Sequence, residues 1–171
     1  MKLLIDLDSK NYSVNWNIKY REAARAIILK NNKIAMVKSA KYGFYKFPGG
    51  GIWENESNED ALVREVLEET GLSVKRESIK EFGYTIENRK SDETEDTIFS
   101  QKSFYYFVDI EDYLLEQRLT EDEIELDFVL EWIDLKEVYE INSNIEINKN
   151  NRFVERETKV LSLLLNDTFK K

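Results

Sequence analysis

The chain has 171 residues, 42% of them hydrophobic, which is enough to bury one core and too few for two comfortable ones. A formal net charge of −9 and a pI near 4.8 argue against a surface that grips long nucleic acid through its phosphates, which needs clustered Lys and Arg. With no Cys and no His, disulfides, thiolate chemistry and the commonest general base are absent, so any catalysis must use carboxylates, Lys, Tyr, Ser, Thr or a bound metal.

No apolar run reaches the length of a membrane span, and MKLLIDLDSK lacks the apolar stretch and cleavage site of a secretory signal, so a cytoplasmic protein without a membrane partner is expected. The expected unit is a single domain over 1–171, with an N-terminal ribbon over 1–18 and a C-terminal helix over 152–166. Residues 3–7 read as a short strand, and Tyr12, Val14 and Trp16 alternate as an edge ribbon that could exchange across a homodimer. REAARAIIL and KIAMVKS flank Asn31-Asn32, which predicts a hairpin. Arg25 inside that apolar run is either an outward strand residue or a phosphate or carboxylate partner. Leu72–Arg89 reads as a strand with Phe82, Tyr84 and Ile86 on one face, and Ile98–Ile110 as its hairpin partner with Phe104–Val108 in the core. Thr120 and Glu123 have capping-box spacing, FVLEWIDLKEVYEI gives a strand through Trp132 and a helix begun by Asp134, and RFVERETKVLSLLL closes the chain as an amphipathic helix.

The chemistry concentrates in residues 41–72. KYGFYKF runs into Pro48-Gly49-Gly50-Gly51, which holds the only proline and half of the six glycines, a composition suited to a sharp turn that approaches a ligand closely. Ser57, followed three residues later by Asp60, should begin a helix that ends at Gly71. At about 100° per residue with Glu65 at zero, Glu68 falls near 300° and Glu69 near 40°, so the three share a face; Leu62, Val63, Val66, Leu67 and Thr70 are assigned to the complementary, buried arc. Like charges at this spacing repel, and a hard divalent cation would reverse the sign. Arg64, beside Glu68, is placed to orient a carboxylate or screen the cluster. In isolation such a helix is more often a solvated face.

The spacing Gly50, five residues, Glu56, seven residues, Arg64-Glu65-Val66, one residue, Glu68-Glu69, one residue, Gly71-Leu72 fills every specified position of the Nudix box, and the chain resembles the MutT/Nudix hydrolases over about residues 19–165. The resemblance implies an α/β fold, a mixed β-sheet sandwiched between helices. It implies Mg²⁺-dependent hydrolysis, with Mn²⁺ as an alternative, of a diphosphate bond in a nucleoside diphosphate linked to another group. It further implies that Gly50, through its carbonyl, and Glu65, Glu68 and Glu69 hold the metal. Glu65 is also the candidate base, and Arg64 and Glu56 orient the loop and helix. An acid from a later loop is sought in Glu123 or Glu125, and Tyr42, Phe44, Tyr45 or Trp53 are candidates to stack a base. The competing reading is a non-catalytic Nudix-like nucleotide sensor; an RNA-cap hydrolase is disfavoured because no basic groove is evident. Oxidised nucleoside triphosphates, ADP-ribose, nucleotide sugars and dinucleoside polyphosphates all remain open as substrates.

Overall fold

The computed structural model describes residues 1–168, with side chains through Asn166; the last three residues of the expected 1–171 unit lie outside the described residues. The strands are β1 (Leu3–Asp8), β2 (Asn17–Ile27), β3 (Leu29–Lys30), β4 (Lys33–Ser39), β5 (Tyr45–Lys46), β6 (Gly49–Gly51), β7 (Leu72–Val74), β8 (Lys80–Lys90), β9 (Thr97–Phe107), β10 (Ile110–Leu114) and β11 (Phe128–Ile133). The helices are α1 (Asn58–Thr70), α2 (Glu121–Glu125), α3 (Leu135–Ser143) and α4 (Phe153–Thr168). A five-stranded mixed sheet has the order β1-β8-β9-β2-β6, in which β1 runs parallel to β8 and β2 parallel to β9. A second sheet has β4 between β11 and β3, with β5 also on β4, and β7 pairs with β10 apart from both.

Local chemistry explains most of these elements. Asn31 and Asn32 adopt positive φ (52° and 62°), the backbone of a tight two-residue hairpin turn between β3 and β4. The expected hairpin of the two long apolar runs is nonetheless only this tip. Ala23, Ala24, Ala26 and Ile27 are fully buried, so β2 needs cover on both faces and pairs with β9 and β6 rather than with β4. Ser57 caps α1 by accepting from Asp60 N (3.1 Å), and Gly71 ends it at φ 74° with its N–H on Leu67 O, as the sequence predicts. The Thr120/Glu123 capping box and the Asp134 cap on α3 also form.

Two expectations are corrected. Residues 9–16 form turns rather than a ribbon: Tyr12 Oη donates to Asp8 Oδ1 (2.9 Å), the chain bends at Lys10 (φ 48°), and Val14 is 86% exposed. In β8, Phe82 and Tyr84 do not share a face, because a bulge between Glu81 and Gly83 inserts one extra residue opposite β9 and reverses the alternation.

Side chains of the five-stranded sheet alternate between two cores. Ala24, Ala26 and Tyr106 pack with Ala61, Leu62 and Val66 of α1. Ile27, Phe82 and Tyr105 pack with Val138 of α3 and Val160, Leu161 and Leu164 of α4. The sheet therefore lies between α1 and the α3–α4 pair, the expected α/β sandwich, with the glycine turn at its β6 edge.

Candidate active site

Three side chains from three helices hold the backbone that leads into the glycine turn. Tyr45 N donates to Asn142 Oδ1 of α3 (2.9 Å), Phe47 N to Glu157 Oε2 of α4 (2.8 Å) and Gly49 N to Glu69 Oε2 of α1 (2.9 Å). Alternate N–H groups of a buried segment are thus satisfied by side chains rather than by a strand, at positions where an orphaned donor would cost about 1–3 kcal/mol each. Arg25 adds a fourth tie from below, with Nη1 donating to Gly49 O. Arg25 is 8% exposed, so it is not the outward strand side chain, and the partner it has among the described residues is a backbone carbonyl rather than the expected phosphate or carboxylate.

Arg64 is the hub of the next turn. Its Nε and Nη2 donate to the two oxygens of Glu56 (2.8 Å each), and Nη2 also donates to Gly51 O (3.0 Å). Nη1 reaches Glu65 Oε1 (2.6 Å) and Glu68 Oε2 (3.3 Å). The Trp53 ring lies over the guanidinium at 3.7 Å, and Trp53 N donates to Glu56 Oε2 (3.0 Å). Bidentate pairing with Arg64, assisted by the Trp53 N–H, holds the Glu56 carboxyl below the usual carboxylate range, and Glu56 in turn raises the guanidinium's already high pKa.

Glu69 departs from the expected arrangement. It is 1% exposed and belongs to the packed face of α1 rather than to an acidic face set apart from it. The reason is helical spacing: Leu62 precedes Glu69 by seven residues, nearly two full turns, which leaves the two within about 20° of each other. Glu65 and Glu68 converge on Arg64, whereas Glu69 Oε1 pairs with Lys46 Nζ. Burial pushes the Glu69 carboxyl up to about 7, against the opposing pull of Lys46 and Arg25. As the side chains stand, no group of three or more acids among the described residues is gathered closely enough to hold a metal ion.

The local chemistry fits a hard divalent cation all the same. The donors are carboxylate and carbonyl oxygens, and two of the carboxylates already share one cationic nitrogen, Arg64 Nη1. The Gly50 backbone forms a cradle for Glu65, since a Cβ at residue 50 would collide with that carboxylate. Any side chain there would push Glu65 off the turn. The residues able to contribute are Glu65, Glu68 and the Gly50 backbone, with Glu69 joining only by exchanging its Lys46 contact.

Beside the turn opens a cleft of about 400 Å³ between the β2–β9–β8 face and the α4 end of the fold. Its charged wall includes Arg21, Arg25, Lys46, Lys149 and Arg156, none of which the sequence patterns select apart from Arg25. The usable signal was Arg and Lys at inward positions of apolar segments, as in Arg156-Glu157 within the terminal helix. Arg156 and Glu157 are ion-paired (2.9 Å) and buried, and Arg156 also reaches Glu87 Oε2 (3.0 Å). Phe44 and Tyr45 are buried, while Tyr42 and Trp53 are exposed, so only the latter two present a ring to solvent. Glu123 is spent on its cap, accepting from Thr120 N (2.8 Å), and Glu125 pairs with Lys41 (3.3 Å).

The NUDIX domain family model matches residues 19–155. An 8-oxo-dGTP diphosphatase of Buchnera aphidicola is 40% identical over 63 residues, covering 34% of this chain and 48% of that protein. An ADP-ribose pyrophosphatase of Methanocaldococcus jannaschii is 42% identical over 60 residues, covering 33% of this chain and 36% of that protein. The matched stretch thus spans about half or less of these curated relatives. Among solved structures, a NUDIX hydrolase from Nitrosomonas europaea aligns with TM-score 0.55 at 19% identity, covering 81% of this chain and 88% of that one. A MutT NUDIX hydrolase from Burkholderia pseudomallei aligns with TM-score 0.53 at 17% identity, covering 81% and 98% respectively. At these identities the structural likeness speaks for the fold, and the family model, matching most of the length, settles membership: the chain belongs to the NUDIX family.

Proposed function

We propose that this chain hydrolyses a diphosphate bond in a small nucleoside diphosphate derivative, using Mg²⁺, or Mn²⁺ in its place. The observation that carries the reading is the Arg64 hub, which draws Glu56, Glu65 and Glu68 together under the Gly50 turn, whose neighbours Gly49 and Gly51 lie against Arg25 and Arg21 of the cationic cleft. The names of the diphosphatase and pyrophosphatase relatives support the same reaction class.

A bound divalent cation would supply charge neutralisation at the diphosphate and acidify a water molecule. The chain's own residues do the rest. Arg64 fixes Glu65 through Oε1 and leaves Oε2 against the Gly50 backbone, where it is placed to take the proton of the attacking water. Glu69 holds Gly49 N and thereby the shape of the turn. Arg21 and Arg25 give an acidic protein a locally positive entrance for an anion.

The test is product identification on a panel of nucleoside diphosphate derivatives with Mg²⁺, with Mn²⁺ and with chelator. Cleavage should require the cation. Glu65→Gln should lower turnover by about 10²–10⁴-fold, the usual contribution of a general base. Glu69→Gln with turnover near wild type at saturating Mg²⁺ would remove Glu69 from the site. Tight nucleotide binding without hydrolysis on the whole panel would overturn the enzyme reading in favour of a sensor.

A further inference from the structure

Of the cations gathered around the glycine turn, Lys46 is held differently from the rest. Arg64 is committed to both oxygens of Glu56, to Gly51 O and to Glu65 and Glu68, and Arg25 to Gly49 O, so neither can leave without releasing the backbone of the turn. Lys46 makes one side-chain hydrogen bond among the described residues, from Nζ to Glu69 Oε1, and its ammonium also faces the Phe128 ring, 5.1 Å from the centroid. Its backbone is fixed separately, by the pairing of β5 with Val37 of β4. Only the flexible four-carbon stem has to move for the contact to open.

The two oxygens of Glu69 have separate tasks. Oε2 accepts from Gly49 N (2.9 Å) and shapes the turn, whereas Oε1 takes the ammonium. A buried carboxylate needs a positive partner, and with the Glu69 and Lys46 side chains 2% and 11% exposed, Lys46 is that partner while no other cation is bound. Glu65 and Glu69 are i, i+4 neighbours that touch successive residues of the turn, Gly50 and Gly49, so a divalent cation on Glu65 would meet the like charge of Lys46 beside it. Lys46 and Phe128 both line the cleft, which gives the ammonium somewhere to go. From this single contact at Oε1, we infer that Lys46 is a stand-in cation: it holds the place on Glu69 that the divalent cation takes, and it leaves the carboxylate for the cleft when that cation binds. This rests on the proposed hydrolase reading for the presence of the cation at α1. Oε2 keeps Gly49 N throughout, so Glu69 changes partner without remodelling the turn. By linkage, an anion that draws the Lys46 ammonium into the cleft tightens cation binding by the same factor as the cation tightens the anion.

Mn²⁺ alone, without nucleotide, is the probe. Lys46→Met and Lys46→Gln both remove the competing charge, and the Gln variant keeps a hydrogen-bond donor for Oε1. At least one of them should bind Mn²⁺ about tenfold more tightly than the wild type by titration calorimetry, while melting at a lower temperature in chelator because Glu69 has lost its partner. A lysine that only stabilises the fold gives the lower melting temperature without the tighter binding. Removing any nearby cation favours Mn²⁺ to some degree, so the displacement itself is read on the wild type. Acetic anhydride labelling followed by peptide mass spectrometry should modify Lys46 several-fold faster at saturating Mn²⁺ than in chelator, with the exposed Lys136 as internal reference. If neither variant folds, the labelling decides alone. Lys46 labelling unchanged by Mn²⁺, or Mn²⁺ binding no tighter in any folded variant, overturns the inference. Cation-dependent hydrolysis with Lys46 labelling unchanged leaves the hydrolase reading standing and removes the exchange; Lys46 release by Mn²⁺ with no hydrolysis on the nucleotide panel does the reverse.

Discussion

The two faces of the five-stranded sheet are held by different chemistry. Toward α1, Ala24, Ala26 and Tyr106 meet Leu62 and Val66, and the contact is held by apolar area. Toward α4, Arg25, Thr85, Glu87, Gln101 and Ser103 are buried polar side chains: Glu87 pairs with Arg156, Gln101 donates to Ser103, and Arg25 donates to Gly49 O. Both buried side-chain atoms without a partner among the described residues, Arg25 Nε and Thr85 Oγ1, belong to strands of this polar region. The apolar face fixes a helix. The polar face gives up some stability to keep a charged cleft beside the glycine turn, as sites commonly do.

Breaking the polar face should cost most. Glu157→Leu takes away one of the two carboxylates on the buried Arg156, leaving it Glu87 alone, and removes the acceptor of Phe47 N, and loss of about 3–5 kcal/mol is expected in urea unfolding, the usual consequence of removing one member of a buried pair. Turnover of the remaining folded protein should fall as well, because Phe47 leads directly into the turn. Full turnover per folded molecule would show that this network stabilises without positioning. On the other face, Leu62→Ala should cost about 3 kcal/mol through a cavity under α1 and leave turnover per folded molecule unchanged. The contrast between the two variants is the measurement that matters.

Acid titration sharpens the same contrast at smaller scale. Burial acts to raise the Glu157 carboxyl, but Arg156, Arg25 and the Phe47 N–H outweigh it and leave its pKa lowered. A depressed folded pKa contributes stability that is fully present above the unfolded value, about 4.3, and is lost as pH falls through that range toward the folded value. One such group contributes a slope of at most about 1.4 kcal/mol per pH unit. Unfolding free energies from pH 6 to pH 3 should therefore converge for wild type and Glu157→Gln. A gap that stays constant down to pH 3 would mean that the charge on Glu157 is not what holds the network.

The legibility of the two faces in sequence differs for the same reason. Binary patterning and caps placed α1, β11 and α3, because apolar periodicity, Ser57, Asp134 and Gly71 act locally, whereas the single strand expected over Leu72–Arg89 is split into β7 and β8 by a turn over Arg76–Ser78, and only β8 pairs with β9. The box spacing likewise found Glu56, Arg64 and Glu65, which the structure joins in one network. Glu69 was assigned to an exposed acidic face because Glu is rarely buried without a partner, and its partner Lys46 lies 23 residues upstream, beyond any local pattern. Arg156 and Glu157 were invisible for the same cause: their partners Glu87 and Phe47 come from other elements. The bulge at Phe82 escaped because one inserted residue leaves composition unchanged and only reverses the alternation.

The smallest expected effect tests how much the Arg64 hub depends on its exposed side. Trp53 is 62% exposed, which is unusual for so large a ring, and its one described aromatic contact is the Arg64 guanidinium at 3.7 Å. Arg64 keeps both bonds to Glu56 without that ring, so Trp53→Ala should cost only the cation–π contribution of an exposed site, about 0.5–1 kcal/mol. If that loss appears in the transition state, turnover falls by about two- to fivefold with KM unchanged, and Trp53→Phe restores most of it. A rise in KM alone would instead make Trp53 a surface for the substrate, since a stacking partner contributes to binding whereas a support for Arg64 acts on the carboxylates that Arg64 aims.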